Sequence, residues 1–102
     1  SSELFVDALK FVRSYVVFHF DTEQEVMRFH QYPGLDDHLD QHEHFDRQLE
    51  ALAATFMENG FSPGLAMELY ALLVDWFVDH IRSIDTEMGR FLIREAGNTG
   101  RS

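Results

Sequence analysis

Apolar positions along the chain recur at steps of three and four residues in three long runs, and two Pro-Gly pairs separate the runs. In residues 2–30 the line is Phe5, Leu9, Val12, Val16, His19, Glu23 and Met27. In residues 35–59 it is Leu35, His38, His42, Phe45, Leu49, Leu52 and Phe56. In residues 63–96 it is Ala66, Leu69, Leu73, Trp76, His80, Ile84, Met88 and Phe91. This period is that of the inward stripe of an amphipathic helix. Pro33-Gly34 and Pro63-Gly64 read as turns. The pattern predicts an all-α antiparallel bundle in which residues 1–96 form one domain and 97–102 a flexible tail.

The first run carries a second apolar stripe, Leu4, Ala8, Phe11, Tyr15 and Phe18. A helix with two apolar stripes needs cover on two sides. Two other helices do not obviously provide it, which points to a fourth element or a second subunit.

Polar residues enter the inward stripes at His19, Glu23, His38, His42 and His80, with Asp85 close beside them. Burying such groups without partners costs several kcal/mol, on the order of 2–7 for a neutral polar group and more for a charge. They must therefore satisfy one another or hold metal. His19 and Glu23 are one helical turn apart, as are His38 and His42. Asp85 lies five residues after His80, about 140° around an α-helix, and needs a local adjustment to join the group. Imidazole suits iron, zinc, copper and nickel, and carboxylates bridge ions and neutralise their charge. Four His with two carboxylates exceed what one tetrahedral zinc uses and fit two six-coordinate ions. A purely structural, hydrogen-bonded role remains the competing account for any one of these residues. His30, beside the Tyr32-Pro33 turn, and His44, off its stripe, read as solvated.

Composition narrows the chemistry. The chain has 102 residues, 45% hydrophobic and 14% aromatic with ten Phe, enough for one domain with a real core. Cysteine is absent, so thiolate zinc, iron–sulfur clusters and disulfides are excluded. The 18 Asp and Glu against 8 Lys and Arg give a net charge of −10, which disfavours nucleic acid and anionic membranes as partners. No apolar run reaches the roughly 20 residues of a membrane span. A cytoplasmic setting is the default expectation.

In order and spacing, His19-Phe20-x-x-Glu23 with Met27, Tyr32-Pro33-x4-His38-x3-His42-x2-Phe45, and Trp76-x3-His80-Ile81-x3-Asp85 resemble the bacterial hemerythrin pattern. The resemblance covers nearly the whole chain. It implies a four-helix bundle around two iron ions bridged by oxo or hydroxo, Glu23 and Asp85. His38, His42 and His80 would serve the coordinatively full iron, and His19 the iron left open for dioxygen. Phe20, Phe45, Trp76 and Ile81 would wall a dry oxygen pocket. The family's first helix, which brings one more His to the open iron, lies upstream of the matched region. A fragment, a covering second subunit, or a natively open site would each account for this, and the second stripe favours the subunit.

The functional expectation is a non-haem di-iron module that binds or senses dioxygen, is not an enzyme, acts as a homo-oligomer, and has a possible signalling domain attached in a longer native protein. The alternatives are a di-iron redox enzyme acting on peroxide or nitric oxide, and a metal-poor helical assembly module.

Overall fold

In the computed structural model residues 2–99 are described, with the side chains of Ile84, Asn98 and Thr99 excepted. Helix α1 spans Ser2–Phe29 and α2 spans Leu35–Asn59. A third rod, residues 63–99, begins as α3 (Pro63–Ala71), passes through two π-helical segments (Leu72–Val78 and Ile81–Asp85), and ends as α4 (Thr86–Thr99). Its junctions at Leu72, Asp79, His80 and Thr86 keep right-handed helical dihedrals, so the rod is continuous. Helix α4 runs three residues into the stretch that the sequence reads as tail; residues 100–102 lie outside the described part.

The turns form for local reasons. After α1, Gln31 takes a positive φ of 52°, and Tyr32 N–H bonds back to the Met27 carbonyl at 2.9 Å. Gly34 sits so close to the Tyr32 ring that a Cβ there would meet Cε2 at 2.7 Å. After α2, Gly60 adopts φ 75°, the left-handed region that glycine enters without penalty, and its N–H satisfies the Phe56 carbonyl. Ser62 caps the third rod by accepting from Leu65 N–H at 3.1 Å, and Pro63 occupies the first helical position, where no N–H is needed.

The inward stripes meet largely where the period places them, but Phe20, Leu65 and Leu72, which the predicted lines pass over, are buried with them, while Leu9, Phe56, Ala66 and Leu73 are only partly buried. Phe5, Val12, Val16 and Phe20 of α1 pack with Phe45, Leu49 and Leu52 of α2 and with Leu65, Leu69 and Leu72 of the third rod. Each such side chain, fully buried, contributes about 1.5–3 kcal/mol. The second stripe of α1 stays exposed, with Phe18 72% accessible. Three rods leave an elongated body of 60 × 20 × 19 Å with a radius of gyration of 16.8 Å, against about 13 Å for a compact domain of this length. Among the described residues no helix is long and apolar enough to cross a membrane.

Candidate metal centre

Below the apolar end of the bundle, each helix delivers its polar residues to one place. From α1 come His19 and Glu23, from α2 His38 and His42, and from the third rod His80 and Asp85. Glu23, His38, His42 and His80 are buried; His19 and Asp85 are the more open pair, with side chains 24% and 14% accessible. Asp85 arrives through the π-helical segment Ile81–Asp85. In i→i+5 winding a turn takes about one residue more than in an α-helix. Five residues then return close to the starting face, and this is the adjustment that the His80–Asp85 spacing requires.

The donor atoms converge on a small volume. His38 Nε2 and His80 Nε2 stand 3.1 and 3.2 Å from Asp85 Oδ1, while His19 Nε2 stands 3.2 Å from Asp85 Oδ2. Glu23 Oε1 lies 3.2 Å from His42 Nε2, 3.3 Å from His19 Nε2 and 3.6 Å from His80 Nε2. His42 Nε2 and His80 Nε2 face each other at 3.2 Å. Two ligand atoms each about 2.0–2.2 Å from one ion lie about 3 Å apart, so these separations suit a cation between the donors. Glu23 Oε1, although close to three ring nitrogens, is buried and has no hydrogen-bonded partner. A buried oxygen surrounded by imidazoles yet unpaired is what a donor set aimed at a common ion looks like.

The donors fall into two overlapping groups, buried Glu23, His38, His42 and His80, and the more open His19, Glu23 and Asp85. Glu23 belongs to both, and Asp85 turns one oxygen to each side.

Electrostatics describe the metal-free cluster. Burial works against charging His38, but hydrogen bonds with Asp85 and Glu23 outweigh it and raise its pKa to about 9. His80 is raised in the same way, against its own burial. His42 is lowered, because its burial prevails over Glu23. Burial would raise Glu23, but the imidazoles of His38, His42 and His80 gathered around it favour the charged form and hold it well below the usual carboxylate range. Without metal, protons do the neutralising.

Outside the donors, His80 Nδ1 faces Gln41 Oε1 at 3.4 Å, an acceptor that would hold a proton on Nδ1 and leave Nε2 to a cation once metal displaces the proton shared with Asp85. Gln24 stands 2.9 Å from His42 Nδ1. With His42 Nε2 turned on a metal, the Nδ1 proton needs the oxygen end of the Gln24 amide, a half-turn of that group.

Three of the expected pocket residues pack on the cluster. Phe20 stacks on His42 with centroids 3.7 Å apart, Trp76 stacks on His80 at 4.9 Å, and Phe45 abuts both Phe20 and Trp76. Ile81 differs, being 38% accessible. Phe77, which the periodicity passes over, covers the open side: its ring lies 5.4 Å from that of His19. His44 is exposed as expected, whereas His30 is half-buried and joins Glu95 at 2.7 Å, tying the end of α1 to α4.

No curated protein and no solved structure is matched by the chain. The family model described as hemerythrin HHE cation binding domain matches residues 2–92. That span takes in α1, α2, most of the third rod and every donor of the cluster, and the chain belongs to the hemerythrin HHE cation-binding family.

Proposed function

We propose that this domain holds two iron ions and binds dioxygen at the more open of the two positions, as a carrier or sensor rather than an enzyme. The observation that carries the reading is Asp85: one oxygen faces His38 and His80, and the other faces His19. A carboxylate so placed, with Glu23 shared alongside it, suits two adjacent cations better than one.

In this reading His38, His42 and His80 fill the buried position together with the two carboxylates. His19 and the same carboxylates hold the other position and leave room for a small ligand. The iron pair, when bound, supplies the electrons that make dioxygen binding reversible. The protein's share is to bind and to exclude water. Phe20, Phe45 and Trp76 dry the buried side, Phe77 and Tyr15 flank the open one, and Gln41 keeps the proton of His80 away from the metal face. The cysteine-free sequence suits a cytoplasmic protein and the second apolar stripe of α1 suits a homo-oligomer, with or without an attached signalling domain.

The test is a metal count on protein loaded anaerobically with ferrous iron, followed by absorption spectra as dioxygen is admitted and then removed. Close to two irons per chain, with a band that appears and reverses, is the expected result. A single ion per chain, or a spectrum indifferent to dioxygen, would sink the proposal. The accessibility of His19 favours one second reading, redox turnover of peroxide or nitric oxide at the open position. Steady consumption of either with a supplied reductant would select it.

A further inference from the structure

Two exposed apolar stripes lie on either side of one seam. On α1 the stripe continues through Phe11, Tyr15 and Phe18; on the third rod Tyr70, Val74 and Val78 recur at steps of four. The two meet where Tyr15 abuts Phe77, with centroids 6.0 Å apart. Beneath this point lies His19, its ring parallel to that of Tyr15 at 6.1 Å. The seam therefore runs over the open side of the donor cluster.

We infer that this seam is the face on which a second copy of the chain docks, closing the His19–Asp85 side of the metal centre in both copies. Area is the first argument. Applying the exposed fractions of these six side chains to about 150–250 Å² each gives an apolar surface of roughly 500–850 Å². A typical monomer's largest apolar patch is about 300–600 Å², and a standard interface takes about 800 Å² from each partner. Symmetry is the second. A stripe rich in Phe, Tyr and Val with a shallow seam between its halves is self-complementary, and a two-fold pairing covers the same patch on both copies at once. Incompleteness is the third, and it rests on the metal reading above. The donors nearest the seam are the least buried of the set, and water reaches them unless the seam is covered.

Charge sets the conditions. Each copy carries −10, and the exposed Asp75 and Asp79 border the stripe on the third rod. Copies therefore repel at long range, and association tightens as salt screens that repulsion.

Sedimentation equilibrium on the metal-free and iron-loaded chain, across the micromolar range and at two salt concentrations, reads the outcome. The expected mass is twice the 11.9 kDa of one chain, with tighter association at the higher salt. Phe11→Glu combined with Phe18→Glu should return the single-chain mass with helical content kept, and a chelator should strip metal from that variant faster. If the double variant does not fold, Val78→Glu reaches the same interface from the other rod. A wild-type chain that stays monomeric, or a dimer that survives folded variants on both stripes, overturns the inference. A dimer that takes up no iron would leave the interface standing and sink the di-iron reading; two irons in a monomer would do the reverse.

Discussion

At the scale of single residues, the cluster trades protons for cations. In the metal-free chain His38 has a pKa of about 9 against an ordinary 6.5. The folded state favours its protonated form. The stability this contributes is complete below pH 6.5 and is lost as pH rises through about 9. His80 moves in the same direction. Glu23 is lowered, so its contribution is present above its ordinary 4.5 and is lost only in strong acid. The melting temperature of metal-free protein should therefore fall between pH 6.5 and 9, when followed by circular dichroism in the presence of a chelator. Iron affinity should rise over the same window, because the metal must displace those protons. A metal-free melting temperature that is flat or rising across it would contradict the account. Gln41 offers a second check. Replacing it by Leu removes the acceptor for His80 Nδ1–H without touching a donor. A loss of about 10–100-fold in metal affinity is expected, with the metal-free melting curve little changed.

Among elements, the three rods were legible in the sequence because each is amphipathic with a sustained period, and because Pro33-Gly34 and Pro63-Gly64 mark the turns between them; the Ser62 cap emerged only in the structure. The inward polar residues were legible for the same reason: His19, Glu23, His38, His42 and His80 interrupt apolar stripes. Asp85 was visible only as a misfit to α-helical spacing, since its cure lies in backbone winding that side-chain pattern does not encode. Gln24 and Gln41 were invisible, being ordinary surface-type residues whose value arises from what faces them across a helix boundary. The His30–Glu95 contact joins residues 65 apart, a distance over which no local pattern speaks. Ile81 adjoins a ligand in sequence, yet its side chain keeps 38% of its surface in solvent. The π segment yields a prediction of its own. A single π bulge is an α-helix with one residue inserted. Deleting Ser83, whose exposed hydroxyl bonds the Asp79 carbonyl, should let 81–85 rewind as α-helix, with the carboxylate now four residues after His80 and α4 still in phase. Such a variant should keep its helical content, with a metal-free melting temperature no lower than wild type, and should still bind metal. Asp85→Ala should fold but lose metal. Parallel melts and metal counts on the two variants decide the matter, and collapse of the deletion variant would show that the segment is not a removable bulge.

For the whole molecule, the fold is held at one end by hydrocarbon and at the other by the donor cluster. Phe5, Leu49, Leu65 and Leu69 need nothing beyond water to drive them together. Glu23, His38, His42 and His80 are buried without the apolar gain, and in the metal-free state they depend on shared protons. Three rods with two exposed stripes also bury less surface than a full bundle would, as the elongated shape records. The second stripe of α1 was readable from the sequence; that the third rod exposes one beside it required knowing which faces the rods turn to each other. Metal should therefore supply a large share of the stability. A cation that binds only the folded chain, present at about 100 times its dissociation constant, adds about 2.7 kcal/mol. For a domain of this length that amounts to about 10–20 °C in melting temperature. Differential scanning calorimetry before and after chelation should show a drop of that size, recovered on adding ferrous iron back under anaerobic conditions. The same experiment on His42→Ala should show almost no response to chelator, because that variant lacks a buried donor and starts from the weakened state. Equal melting temperatures with and without metal in the wild-type chain would mean that the protonated cluster alone closes this end of the bundle.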